Sequence, residues 1–140
     1  MRALMLDELT TGEVTAVRAY LTAQAEFSGV DGLYWLTLPP DLWSDHQKEA
    51  HASGIPGSES YRLAVETGAK WVRFELLVRA ETMTNPGSAQ ATTEQALYIL
   101  GWADRMAREL GLVTCVDLHP KEPGRENAAE SAGPEEEDRE

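Results

Sequence analysis

Residues 60–79, SYRLAVETGAKWVRFELLVR, constrain the chain most. Tyr61, Leu63, Val65, Val72, Phe74, Leu76 and Val78 recur with the period of two that a half-buried strand requires. Between them stand Arg62, Glu66, Arg73, Glu75 and Arg79. A helix would scatter both sets around its circumference, so the stretch is a β-hairpin with one apolar and one charged face. Its most economical register turns at Thr67-Gly68-Ala69-Lys70 and sets Val65 opposite Val72, Leu63 opposite Phe74 and Arg62 opposite Glu75. Each matched pair is worth a few tenths to about 1 kcal/mol, and a slip by one residue destroys all of them.

Around the hairpin, helices announce themselves by their caps. Thr10 with Glu13, Ser44 with Gln47 and Thr92 with Gln95 each have the spacing of a capping box. They predict helices over about 12–25, 41–52 and 93–110. The last carries a helical stripe of Ala96, Ile99, Leu100, Ala103, Met106, Ala107 and Leu110, with Gly111 at the stop. Asp104–Arg108 and Arg105–Glu109 are i,i+4 pairs assigned to its outer side. LYWLTL, 33–38, reads as a strand apolar on both faces, closed by Pro39-Pro40. VTCVDL, 113–118, reads as a short strand or an extended arm.

The expected fold is therefore α+β in the order α-β-α-β-β-α. A small antiparallel or mixed sheet of about three strands has segment 71–79 at its centre, and helices cover mainly the Leu63–Val65–Phe74 face. Residues 1–119 make one domain. From Pro120 to Glu140 there is no large apolar side chain, and eight acidic residues face three basic ones, so 120–140 is expected to be a disordered acidic tail.

Charge narrows the partners. The chain carries −12 formally, and residues 1–119 hold −7 of it, which disfavours nucleic acid and anionic membrane surfaces. No run approaches the ~18 apolar residues of a membrane span. MRALMLDELTTGEV lacks the apolar core of a secretory leader. With Cys115 as the single cysteine, no internal disulfide forms, and the expected compartment is the cytoplasm.

No nucleophile elbow, phosphate loop or cofactor fingerprint is present, and no cofactor is expected. The charged hairpin face is the place to look for a site. Arg62, Arg73 and Arg79 with Trp71 form the expected partner-binding group. The expected function is a small binding module that acts through protein–protein contacts. A homodimer is its simplest form.

Two other classes stay open. A metal-binding or sensor domain would use His46, Glu49, His51 and Cys115. The five-residue spacing of His46 and His51 turns them about 140° apart on a helix, which argues against a local site. An enzyme would place a carboxylate–arginine site on the hairpin face. The register above separates Glu66 from Glu75 by about 13 Å, wider than the ~5–10 Å of cooperating carboxylates.

Overall fold

The computed structural model describes residues 1–81 and 87–114. Its elements run β1 (Ala3–Leu6), α1 (Thr11–Gln24), β2 (Glu26–Phe27), β3 (Leu33–Thr37), α2 (Asp45–Ala52), β4 (Arg62–Thr67), β5 (Val72–Glu75), β6 (Leu77–Val78), β7 (Ala89–Gln90) and α3 (Thr93–Leu110). The α+β class holds. The sheet is larger than expected: five antiparallel strands in the order β1-β5-β4-β3-β2, with β6 and β7 pairing as a separate ribbon. The short strands β1 and β2 account for the excess. Four residues and two residues are too few to display a period on their own.

All three capping boxes close in both directions. Pro40–Leu42 forms a separate turn of 3₁₀ helix, so the second helix begins only after Ser44, its cap. Gly111 ends α3 in the left-handed conformation that glycine adopts at no steric cost. Two of the boxes are tied together. Gln95 Nε2 donates to Leu42 O and to Gln47 Oε1, each at 2.9 Å, and Gln47 Nε2 donates to Gly87 O at 2.9 Å. The same two glutamines accept from the cap backbones of their own helices, so buried amide groups are satisfied while both helix starts are fixed.

The hairpin keeps its expected faces but shifts its register by two residues. Val65 lies opposite Phe74, Glu66 opposite Arg73 and Thr67 opposite Val72. A shift of two preserves the parity that decides which side chains are buried. It sets Glu66 against Arg73, whose Nη2 donates to Glu66 Oε1 at 2.7 Å. It also lets Gly68 N bond Trp71 O at 2.9 Å, closing a tighter turn.

Segment 71–79 is not the centre of the sheet. It breaks at Leu76, where the chain leaves β1 for β7, and β4 takes the central place. Leu76 N bonds Arg2 O and Leu76 O receives Ala91 N, so the break is fully hydrogen-bonded.

One face of the sheet carries the core. Leu63, Val65, Val72 and Phe74 are wholly buried with Val17 and Leu21 of α1 and Ile99 and Met106 of α3. Trp102 packs edge-on against Phe74 and Tyr20, with ring centres 5.9 and 5.6 Å apart. Trp43 lies over the other end, edge-on to Tyr61 at 4.9 Å. Asp104 departs from its expected outer position: it is buried, and its carboxylate is held by Arg108 Nε at 3.0 Å. No helix among the described residues is long and apolar enough to cross a membrane. Residues 115–118 and 120–140, expected as an extended arm and an acidic tail, lie outside the described residues.

Candidate functional site

Alternation along the strands that buries Leu63, Val65 and Phe74 turns their neighbours to the opposite face. There β5 presents Arg73 and Glu75, β4 presents Arg62, Ala64 and Glu66, and β3 presents Leu33 and Trp35. Every one of these is partly exposed, and they belong to the face away from the helical core. Leu33, Trp35, Ala64, Glu66, Arg73, Glu75 and Arg79 line a hollow of about 280 Å³ in that face.

Of the three expected arginines, Arg73 and Arg79 line the hollow and Arg62 lies on the same face outside its lining, each held differently. Arg73 pairs with Glu66. Arg79 grips Glu75 through Nε and Nη2, at 3.2 and 3.1 Å to Oε1, and through Nη2 at 3.2 Å to Oε2. Arg62 has no carboxylate partner among the described residues. Its guanidinium lies 4.1 Å from the ring centre of Trp35, a cation–π stack worth about 0.5–2 kcal/mol depending on exposure. Its backbone pairs with that of Arg79, so two like charges leave the sheet side by side. The Nε–H groups of Arg62 and Arg73 are buried and find no acceptor among the described residues.

Trp71 stands elsewhere. Its ring folds back over Gly68, where an added Cβ would come within 2.1 Å of it. The aromatic that joins the arginines is Trp35, on the neighbouring strand. LYWLTL is apolar on both sides and so conceals which residues face outward: Tyr34 and Leu36 belong to the core, which turns Trp35 to the arginine face.

The two-residue register shift also alters the carboxylate geometry. Glu66 and Glu75 become diagonal neighbours, at about 7–8 Å between Cα atoms rather than ~13 Å. Both are engaged by arginines. An acid–base pair would first have to break those bonds.

The alternative metal ligands do not assemble among the described residues, which contain no group of three His, Cys, Asp or Glu side chains able to hold an ion. His51 Nδ1 is within 2.8 Å of Ser58 O, which makes it the protonated nitrogen, and the ring stands edge-on to Trp43 at 5.2 Å. His46 and Glu49 are exposed on α2, and Cys115 lies outside the described residues.

Burial, and then the charge of Glu59, push the phenol of Tyr61 up from its ordinary pKa, consistent with its place under Trp43. Comparison of the chain with protein-family models, with curated proteins and with solved structures finds no match.

Proposed function

We propose that the chain is a binding module that makes protein–protein contacts through the uncovered face of its five-stranded sheet, with a second copy of itself as the simplest partner. The observation that carries this reading is the Arg62–Trp35 stack, a cation on an aromatic platform, without a carboxylate partner among the described residues. Arginine and tryptophan are the side chains that dominate interface energetics, and an aromatic base holds the guanidinium ready for an incoming carboxylate.

Self-association is favoured by the pattern around that stack. A two-fold interface requires a surface complementary to itself. Arg73 beside Glu66 and Arg79 beside Glu75 supply both signs on one patch, so two copies can exchange partners across the axis. Met5, half exposed on the same face of β1, adds apolar area at the margin.

Sedimentation velocity across about two decades of concentration tests the reading. It is run near physiological salt, where the ~8 Å Debye length screens the repulsion between two acidic chains. A monomer–dimer equilibrium is expected, weakened at least about tenfold by Arg62→Glu. That substitution places a carboxylate opposite Arg79, so the fold is retained. A wild-type chain that stays monomeric throughout would remove the self-association form. A dimer indifferent to Arg62→Glu would move the contact to another surface.

A further inference from the structure

β1 stands at one end of the five-strand order, paired with β5 on one side and with no further strand among the described residues. A cleft of about 540 Å³ lies against it. Leu4, Leu6, Phe74, Leu100 and Ala103 give the cleft an apolar lining. Met5 lines it too, although its side chain takes the opposite parity, so the cleft reaches the edge of the strand as well as its helical face. The lining also includes Leu112, Val113 and Thr114, the residues that follow Gly111. The chain thus enters the cleft itself, and Cys115, Val116, Asp117 and Leu118 continue from inside it.

The entering residues already alternate. Leu112 is partly buried against the core, whereas Val113 is 94% exposed. Continued with the period of two of an extended strand, this parity directs Thr114, Val116 and Leu118 inward and Cys115 and Asp117 outward. The inward set then holds both large apolar side chains of residues 115–118, and the outward set holds their one charge. The reverse parity would press Asp117 into a lining where the buried carboxylate of Asp104 already needs Arg108. Four extended residues cover about 13 Å, the length of the four-residue β1. Tethering favours this occupant over any separate molecule. A segment joined to Thr114 meets the cleft at an effective concentration on the order of millimolar and gives up no translational freedom on binding.

We infer that residues 115–118 form a strap that pairs with β1 as a sixth strand, with Val116 and Leu118 closing the cleft over Leu4 and Leu6. The pairing meets the outward N–H and C=O groups of β1 and so protects that edge of the sheet. It also widens the uncovered face by one strand. Residues opposite each other across a ladder share a face, so Val113, Cys115 and Asp117 stand on the side of Met5.

The full chain carries one cysteine, which makes thiol protection the test. Cys115 is compared with Val116→Cys, Asp117→Cys and Leu118→Cys, each made in a Cys115→Ser background. Alkylation by iodoacetamide is timed in the folded chain and in urea at the same pH. Relative to their own rates in urea, Val116→Cys and Leu118→Cys should react at least about tenfold more slowly, and Cys115 and Asp117→Cys within about threefold. The pattern should not change with protein concentration. In the unsubstituted chain, amide NMR should show contacts from residues 115–118 to Leu4, Met5 and Leu6, so the result does not depend on a replaced side chain. Full reactivity at all four positions, with no such contacts, would overturn the inference. Protection of 115 and 117 in place of 116 and 118 would overturn its parity. Protection that grows with protein concentration would overturn it as well, and would give the cleft to a second copy.

Discussion

The two faces of the β4–β5 hairpin are built from alternate residues of the same few turns of chain, yet they obey different rules. On the covered face, Leu63, Val65, Val72 and Phe74 are wholly buried. Their energy comes from area removed from water, at about 25 cal/mol per Å². On the uncovered face, Arg62, Glu66, Arg73, Glu75 and Arg79 meet solvent, and their energy comes from charge pairs worth about 0.2–1 kcal/mol each. One face can fix the fold because each of its side chains is expensive to lose. The other is free to evolve a surface, because few of its side chains matter to stability.

Truncating the covered face should show the largest effect. Phe74 lies under Trp102 in an edge-to-face contact and is wholly buried. Phe74→Ala removes that contact and leaves a cavity in the core, and is expected to cost about 3–5 kcal/mol in urea unfolding. A loss below about 1 kcal/mol would mean that the surrounding side chains collapse into the space, and that the two faces differ less than their burial suggests.

The contrast explains what could be read before the structure. Period-two burial, the three capping boxes and the full extent of α3 were all legible, because each depends on side chains within a few residues of one another. Register was legible only up to parity. Shifts of two residues bury the same side chains, and the choice between Arg62–Glu75 and Glu66–Arg73 turns on differences of a few tenths of a kcal/mol. The five-strand order was hidden because β1 contributes four residues and β2 two, too short for a period. Trp35 was hidden by its own segment, since a strand apolar on both sides gives alternation nothing to contrast. Trp71 had the parity of the arginine face, but a glycine three residues earlier offered its ring a closer seat.

Gly68→Ala is expected to give the next largest effect, and it acts on the uncovered side. An added methyl would overlap the Trp71 ring at 2.1 Å, so the half-buried indole must leave its seat. The expected cost is about 1–3 kcal/mol, with a shift of tryptophan emission toward the red as the ring meets water. Repeating the substitution in a Trp71→Ala background sharpens the point. If the cost comes from the overlap, it should nearly vanish there. A cost that persists would place the constraint in the hairpin backbone instead.

The smallest effect belongs to the charged face, and its smallness is the substance of the prediction. Glu66 and Arg73 are hydrogen-bonded at 2.7 Å and stand directly opposite across the ladder. Their side chains are nonetheless 45% and 41% exposed, so water and salt screen the attraction that the short distance suggests. A double-mutant cycle with Glu66→Gln and Arg73→Gln, measured on the monomer at low concentration, should return a coupling below about 1 kcal/mol that shrinks further in high salt. The same cycle measured on the associated form should return more, because a partner that excludes water lowers the local dielectric around the pair. Equal couplings in the two states would mean that this pair stays wet when the chain associates, and the contact would then be confined to Arg62, Trp35 and the β1 margin of the face.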